Sequence, residues 1–378
     1  MKSETNYLSS LTALRGIAAL WVMLFHIDVS IFYRNLGEIF PHASTGLITR
    51  GYLWVDFFFI LSGFVINHVY GKRFVAGLKL GNMTAYFAAR FRRIYPLHLF
   101  TLLILVVPAV AVPIFAPNII DDSWRTYFSW SAMPSQLFLT NAMNQHVYLS
   151  WNIVSWSIGA EWWVYFVAVF MLVLAPRYGS RVAVFSILIS FLFLVLLVLQ
   201  HSGDTLDITY DYGFVRCLLG FSIGLNLHKL YGRNAGKAWL SKDIAFVFLG
   251  FGVMCVFHFG INDLMIVPLF ALIILSAAYN TSAVERLFAG SLLQYLGKIS
   301  YSIYMVHGLV FLFFWYGLPQ AATYFEVIEL SPFLRGAYVV GFTGLTLLFA
   351  HFTYRYIEVP GRTVFVRRAP QPKLAGTT

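Results

Sequence analysis

The chain has 378 residues, of which 59% are hydrophobic and only 11% are charged, whereas soluble proteins average about 25% charged residues. Apolar runs of roughly 20 residues recur along almost the whole length and leave no room for a separate soluble domain of about 100 residues. The formal charge of +10 does not indicate a nucleic-acid partner, because no basic stretch is interleaved with exposed aromatic residues. This composition excludes a soluble protein and indicates one that lies in a lipid bilayer.

The apolar segments predict an all-α, polytopic membrane protein with about ten transmembrane helices, because about 20 apolar residues cross the hydrocarbon core as a helix. In chain order the predicted spans are residues 11–33, 52–70, 94–116, 153–175, 181–200, 212–231, 243–258, 264–280, 299–317 and 335–356. We expect a single transmembrane domain over residues 1–360 and a short basic cytoplasmic tail over residues 361–378. Residues 1–10 lack the basic region and cleavage site of a signal peptide, so the first span is expected to be retained.

The basic residues between the spans predict the orientation of the chain. Of the Lys and Arg residues in the loops and at the ends of the spans, 20 fall on one side and four on the other. Cytoplasmic loops carry the excess of Lys and Arg in membrane proteins, so both termini are expected in the cytoplasm. The same rule accounts for the positive net charge.

The first span contains two ionisable residues, Arg15 and His26. An ionisable side chain at mid-membrane costs about 2.5–3.5 kcal/mol and is therefore a candidate for function. The spacing of 11 residues places both side chains on one face of a helix, with His26 about 16 Å further along the axis. Two interpretations remain open: a functional pair, or a snorkelling arginine with a hydrogen-bonded structural histidine.

The second span carries Asp56 near its start, followed deeper in the helix by Ser62 and Gly63. A Ser-Gly pair commonly permits close packing of helices. Asp56 is expected either to cap the helix or to orient a polar partner.

The fourth span carries Ser157 and Glu161 at positions i and i+4, on one helix face. Glu161 is expected at a depth similar to that of His26. It could act with that histidine, or it could be a structural carboxylate paired with Arg216 of the sixth span.

The ninth span places Tyr301, Tyr304 and His307 at intervals of three residues, on one stripe of the helix. Such a stripe could line a substrate path or form interhelical hydrogen bonds. At the start of the third span, Arg90 and Arg93 offer planar donor groups suited to phosphate, or they could bind anionic lipid and fix the topology. No Cys/His cluster has zinc spacing, and no Walker loop or serine nucleophile elbow is found.

Five motifs together resemble, in order, those of the bacterial membrane-bound acyltransferase-3 family. They are Arg15-x(10)-His26, Val-Asp-Phe-Phe-Phe-Ile-Leu-Ser-Gly-Phe at 55–64, Arg90-x-x-Arg93, Trp156-Ser157-x(3)-Glu161 and Ser-Tyr-Ser-Ile-Tyr-Met-Val-His at 300–307. The resemblance implies that Arg15 and His26 match an essential Arg/Lys-x(10)-His motif. It also implies that Arg90 and Arg93 match a cytoplasmic arginine pair associated with the CoA donor.

The same resemblance implies transfer of an acyl group, often acetyl from acetyl-CoA, to a hydroxyl of a glycan or glycoside acceptor at the bacterial inner (cytoplasmic) membrane. We expect no permanently bound cofactor and no fused extracytoplasmic hydrolase-like domain after the last span. One departure concerns Glu161, which is followed by Trp162 where many relatives carry a second polar residue.

We hypothesise that His26 is a general base, since histidine titrates near neutral pH, and that Glu161 or Asp56 holds its other nitrogen. The residues expected to bind donor or acceptor are Arg15, Arg90, Arg93, Ser157, Tyr301, Tyr304 and His307. The alternative function is a proton-coupled transporter or flippase, which buried charges in ten spans would also suit. Many carriers contain an inverted repeat and paired broken helices, and the sequence shows neither.

Overall fold

The computed structural model describes residues 7–201 and 205–363 of the chain. Every regular element in these residues is helical, which confirms the prediction of an all-α polytopic membrane protein. Most of the predicted basic tail, residues 364–378, lies outside the described residues.

Ten helices form the bundle, and we number them in chain order. They are α1 (Ser9–Phe32), α2 (Trp54–Phe74), α3 (Leu80–Phe115), α4 (Ser155–Leu174), α5 (Ser180–Gln200), α6 (Gly213–Tyr231), α7 (Asp243–His258), α8 (Ile266–Tyr279), α9 (Ser291–Tyr324) and α10 (Pro332–Thr353). Each of the ten predicted spans falls on one of these helices. After α10 the chain continues as a π-helix, Tyr354–Glu358, and a last short helix, Val359–Thr363.

Within the described ranges, seven helices are long and apolar enough to cross a membrane: α1 to α5, α9 and α10. Helices α7 and α8 are apolar but shorter, and they join through a short segment that contains Asn262 and Asp263. The number of ten spans therefore stays a prediction, whereas the membrane class of the protein does not depend on it.

The most extensive contact between helices joins α1 and α9. It begins at two glycines, because a Cβ on Gly16 would lie 2.7 Å from the backbone N of Gly297 and a Cβ on Gly297 would collide with the carbonyl of Thr12. Ten residues further along each helix, the rings of His26 and His307 meet with their centroids 4.9 Å apart. The two helices thus run parallel and in register between these contacts.

A second close crossing joins α2 and α6. A Cβ on Gly63 would overlap the carbonyl of Phe221, and a Cβ on Gly224 would overlap that of Ile60. The packing role predicted for Gly63 fits this geometry.

The long segment between α3 and α4 packs onto the ends of these helices rather than extending away from them. Trp151 is fully buried, and the amide of Asn152 donates to the carbonyl of Met305 on α9 at 3.0 Å. This segment closes one side of the site described next.

Candidate active site

Three adjoining cavities run through the bundle. We call the first the basic cavity; its volume is about 790 Å³. Its walls carry six cations and no carboxylate among the residues described: Arg15, Arg90, Arg92, Arg93, Lys298 and Arg362. These cations come from α1, α3, α9 and the last short helix, which the sequence separates widely. Such a concentration of positive charge favours a polyanionic ligand.

A buried carboxylate behind the wall holds two of these cations. Glu358, which is only 2% exposed, accepts hydrogen bonds from Arg93 and Arg362. Its second oxygen accepts from the hydroxyl of Ser302 on α9 at 2.6 Å. The π-helix places Glu358 in this position, so three parts of the chain meet at one carboxylate.

Sequence reasoning missed the roles of Glu358 and Arg362. In the sequence, Arg362 contributes only to the excess of basic residues that predicts the orientation, and Glu358 is not a candidate residue. The available signal was an acid four residues before an arginine, next to the end of an apolar span, which is a spacing that forms ion pairs on a helix.

Arg15 and Arg90, which the sequence also predicted as binding residues, lie where the basic cavity meets the second cavity. Arg90 donates to the hydroxyl of Tyr70 at 2.9 Å, while its Nε has no partner among the residues described. Arg15 makes no hydrogen bond or ion pair within the described part of the chain, and it lines both cavities. An arginine without a protein partner, in a cavity wall, is available to a ligand.

The second cavity, which we call the central cavity, contains most of the predicted polar residues of the spans. Glu161 accepts hydrogen bonds from Ser62 and, at 2.6 Å, from Tyr165. The hydroxyls of Ser157 and Tyr304 lie 2.7 Å apart. All five side chains line the cavity, so the structure brings together residues of α2, α4 and α9.

Of the two interpretations of Glu161, the pairing with Arg216 does not occur. Arg216 instead makes two hydrogen bonds to Asp56, at 2.7 and 2.9 Å, and donates to the carbonyl of Ile208 at 3.0 Å. Both side chains of the Arg216–Asp56 pair are almost fully buried, and each nitrogen of the guanidinium makes one hydrogen bond. Of the two interpretations of Asp56, the orientation of a polar partner fits, since its side chain forms no helix cap.

We call the third cavity the histidine cavity, because His26 lines it; its volume is about 520 Å³. Nδ1 of His26 lies 2.9 Å from the carbonyl of Val22 and 3.3 Å from Nε2 of His307. Nδ1 of His307 in turn lies 3.2 Å from the carbonyl of Ile303. Carbonyls only accept hydrogen bonds, so this network assigns the proton of each ring to Nδ1.

Nε2 of His26 is consequently the nitrogen with the free lone pair. This nitrogen has no hydrogen-bond partner among the described residues. It is not fully buried, so a molecule in the cavity can reach it. An imidazole held through Nδ1 with an accessible Nε2 can accept a proton from a bound molecule.

The prediction that Glu161 or Asp56 holds the other nitrogen of His26 is wrong. Glu161 is bonded to Ser62 and Tyr165, and Asp56 to Arg216. A backbone carbonyl one turn back and the ring of His307 orient His26 instead. His307 therefore contacts the candidate base directly, which fits the interpretation of this stripe as interhelical hydrogen bonds.

Polar groups also lie on the far wall of the histidine cavity. Asp28 and His42 form a pair at 2.6 Å, and Asp207 lies in the loop before α6. Desolvation raises the pKa of the Asp207 carboxyl above its ordinary value, while the charge of Arg216 acts in the opposite direction. Over the described ranges, no group of three or more His, Cys, Asp or Glu side chains could hold a metal ion.

Shared wall residues connect the three cavities. The basic and central cavities share Arg15, Arg90 and Arg93, and the central and histidine cavities share Val55 and Tyr304. Tyr301 stands beside this path, with its hydroxyl donating to the carbonyl of Ile94 at 2.6 Å. A line of cavities thus leads from a cluster of cations to a histidine with a free nitrogen.

A family model described as an acyltransferase domain matches residues 8–355. The chain belongs to this acyltransferase-3 family. It is 24% identical over 386 residues to O-acetyltransferase OatA of Staphylococcus aureus (strain NCTC 8325 / PS 47), which covers 94% of this chain and 57% of that protein. It is 23% identical over 385 residues to a protein of strain COL provisionally named O-acetyltransferase SACOL0978. This similarity covers 95% of this chain and 58% of that protein.

A shorter similarity joins the chain to protein 2 in the picA locus of Rhizobium radiobacter, with 34% identity over 116 residues, 30% of this chain and 53% of that protein. The chain spans less than two thirds of the length of the staphylococcal relatives. No solved structure matches the chain.

Proposed function

We propose that this protein transfers an acetyl group from acetyl-CoA, on the cytoplasmic side of a bacterial inner membrane, to a hydroxyl of a glycan or glycoside that reaches the histidine cavity. The observation that carries the proposal is the line of cavities from six cations to the free Nε2 of His26. Membership of the acyltransferase-3 family supports the reaction class, and the similarity to O-acetyltransferase OatA supports O-acetylation.

The basic cavity would bind the phosphates of the donor. Guanidinium groups bind phosphate through paired, charge-assisted hydrogen bonds, and Arg15 has no competing partner among the residues described. The cationic end of the site lies on the side where the excess of Lys and Arg predicts the cytoplasm.

The central cavity would hold the pantetheine arm of the donor. Arg15 and His26 lie 11 residues apart on α1, a rise of about 16 Å. An extended arm anchored by its phosphates near Arg15 can therefore bring the thioester toward His26. The mixed polar and aromatic walls of this cavity suit an amide-containing chain.

His26 would act as the general base for direct transfer. Nε2 takes the proton of the acceptor hydroxyl while the oxygen attacks the thioester carbonyl. The tetrahedral intermediate then loses the CoA thiolate as the carbon–sulfur bond breaks, and the imidazolium returns the proton to that sulfur. The products are an acetyl ester and CoA, and no net proton is released.

The proposal is tested with purified protein and acetyl-CoA labelled in the acetyl group. We expect saturable binding, slow release of free CoA to water and no label attached to the protein. Stable labelling of His26 without an acceptor would contradict direct transfer and indicate an acyl-enzyme. If the protein neither bound acetyl-CoA nor released CoA, the enzyme proposal as a whole would be contradicted and the transporter would be favoured.

A further inference from the structure

The six cations of the basic cavity form two groups. Arg15, Arg90 and Arg93 line the central cavity as well, and we call them the inner cations. The other three line only the basic cavity, and we call them the outer cations: Arg92, Lys298 and Arg362. The outer cations thus lie on the part of the cavity wall that the central cavity does not share.

Coenzyme A carries phosphate in two separate places. A pyrophosphate joins the pantetheine arm to the ribose, and a phosphomonoester is attached to the 3′ oxygen of the same ribose, beyond the pyrophosphate. If the arm enters the central cavity, the pyrophosphate must lie at the junction, beside the inner cations. The 3′-phosphate must then lie further out.

We propose that the outer cations form a binding subsite for the 3′-phosphate of the donor, with Lys298 as its principal residue. This proposal rests on the proposed function. It identifies a specificity element of the site: recognition of the terminal phosphomonoester, which separates CoA from other pantetheine thioesters.

The contacts of the outer cations support this assignment. Lys298 is solvent-exposed and makes no hydrogen bond or ion pair with any residue that the structure describes. Nε of Arg92 donates to the carbonyl of Ala88 at 2.9 Å, and its terminal nitrogens have no partner among the residues described. Arg362 gives one terminal nitrogen to Glu358, while its Nε has no partner among the residues described.

The position of Lys298 is also fixed by the fold. It follows Gly297, whose backbone touches α1 beside Gly16, the residue after Arg15. The backbone positions of one outer cation and one inner cation are therefore fixed relative to each other by a contact between two helices. Such an arrangement suits a ligand that carries two separate phosphate groups.

The test compares the dissociation constants of CoA and 3′-dephospho-CoA, measured in nanodiscs of a zwitterionic lipid so that anionic headgroups do not compete. We expect Lys298→Ala to weaken CoA binding roughly three- to tenfold, in the range of one ordinary hydrogen bond because Lys298 is exposed to water, and to leave 3′-dephospho-CoA binding unchanged. Arg93→Ala should weaken the binding of both ligands.

The matched control is Lys237→Ala, which removes an exposed cation from the same predicted side of the membrane but from outside the three cavities. It should change neither affinity. An equal loss for both ligands in Lys298→Ala, or no loss for either, would overturn the 3′-phosphate subsite while leaving donor binding intact. If the unsubstituted protein bound neither ligand, the proposed function itself would fail.

Discussion

His26 is oriented by atoms of its own helix and of α9 rather than by a carboxylate. The carbonyl of Val22 and the ring of His307 hold Nδ1, and among the residues described no carboxylate bonds to the ring. In the proposed mechanism, His26 therefore carries the proton only briefly, because the departing thiolate takes it back. Arg15 has the complementary character, as a cation without a fixed anion among the described residues.

The sharpest prediction at this scale concerns His26→Ala. The variant should fold, insert and bind acetyl-CoA, because the donor phosphates are held at the other end of α1, yet transfer should fall by roughly 10²–10⁴-fold, the usual contribution of a positioned base. His26→Gln should do no better, since an amide cannot take up the proton. Acyl transfer and thermal stability are measured side by side for both variants.

A structural histidine would give a different pattern. His26→Ala would lose expression or melting temperature, and Gln would partly restore it by keeping a hydrogen bond. His258→Ala serves as a control, because this exposed histidine bonds Thr45 and lies outside the three cavities. A stable and fully active His26→Ala protein would contradict the mechanism.

Arg90→Ala and Arg93→Ala are predicted to weaken use of the donor. A lost phosphate contact removes binding shared by the ground and transition states, so KM for acetyl-CoA should rise more than kcat falls. The loss should be roughly tenfold or more for each arginine, as for hydrogen bonds between charged groups. Steady-state kinetics measure this effect. Unchanged donor affinity in the double variant would indicate that both residues only fix the topology of the chain.

At the scale of elements, the parallel pair of α1 and α9 carries most of the site. Arg15 and His26 lie on one helix, and Lys298, Tyr301, Tyr304 and His307 lie on the other. The glycine contact and the histidine contact hold the pair at two points. The geometry of the path therefore depends on backbone packing as much as on the polar side chains.

We predict that Gly297→Ala separates the two helices at the cationic end. A Cβ there would collide with the carbonyl of Thr12, and such overpacking costs about 1–3 kcal/mol. The melting temperature and the affinity for acetyl-CoA should both decrease. Gly344→Ala on α10 is the control, because nothing lies near its Cβ position and replacing a helical glycine by alanine is neutral or stabilising. Equal effects of the two substitutions would contradict the prediction.

At the scale of the whole molecule, the apolar length of each segment made the helices predictable, because spanning the bilayer is a local demand on the chain. The family motifs likewise indicated most residues of the central path. The contacts between these residues were harder to predict. Arg216 pairs with Asp56, 160 residues away in the sequence, and His26 contacts His307, 281 residues away. Such pairings depend on how distant helices align, and no local pattern encodes that alignment.

The orientation of the molecule gives a further prediction. The count of 20 cations against four predicts that the loop between α5 and α6 is extracytoplasmic and the loop between α6 and α7 cytoplasmic. In a variant lacking Cys217 and Cys255, a cysteine introduced at Thr205 should react with a membrane-impermeant maleimide added to intact cells. A cysteine at Lys237 should react only after the membrane is opened. Protection of position 205 together with labelling of position 237 would mean that the molecule is inverted.

The register between α1 and α9 restricts how the gene can change. One inserted residue between positions 16 and 26 would turn His26 by about 100° and advance it by about 1.5 Å, away from His307, while Gly16 kept its place. An equal insertion of seven residues in both helices would restore the contact, but it would lengthen the path by about 10 Å, beyond the reach of a donor arm of constant length. Insertions and deletions should therefore be excluded from residues 16–26 and 297–307 in any working descendant of this sequence.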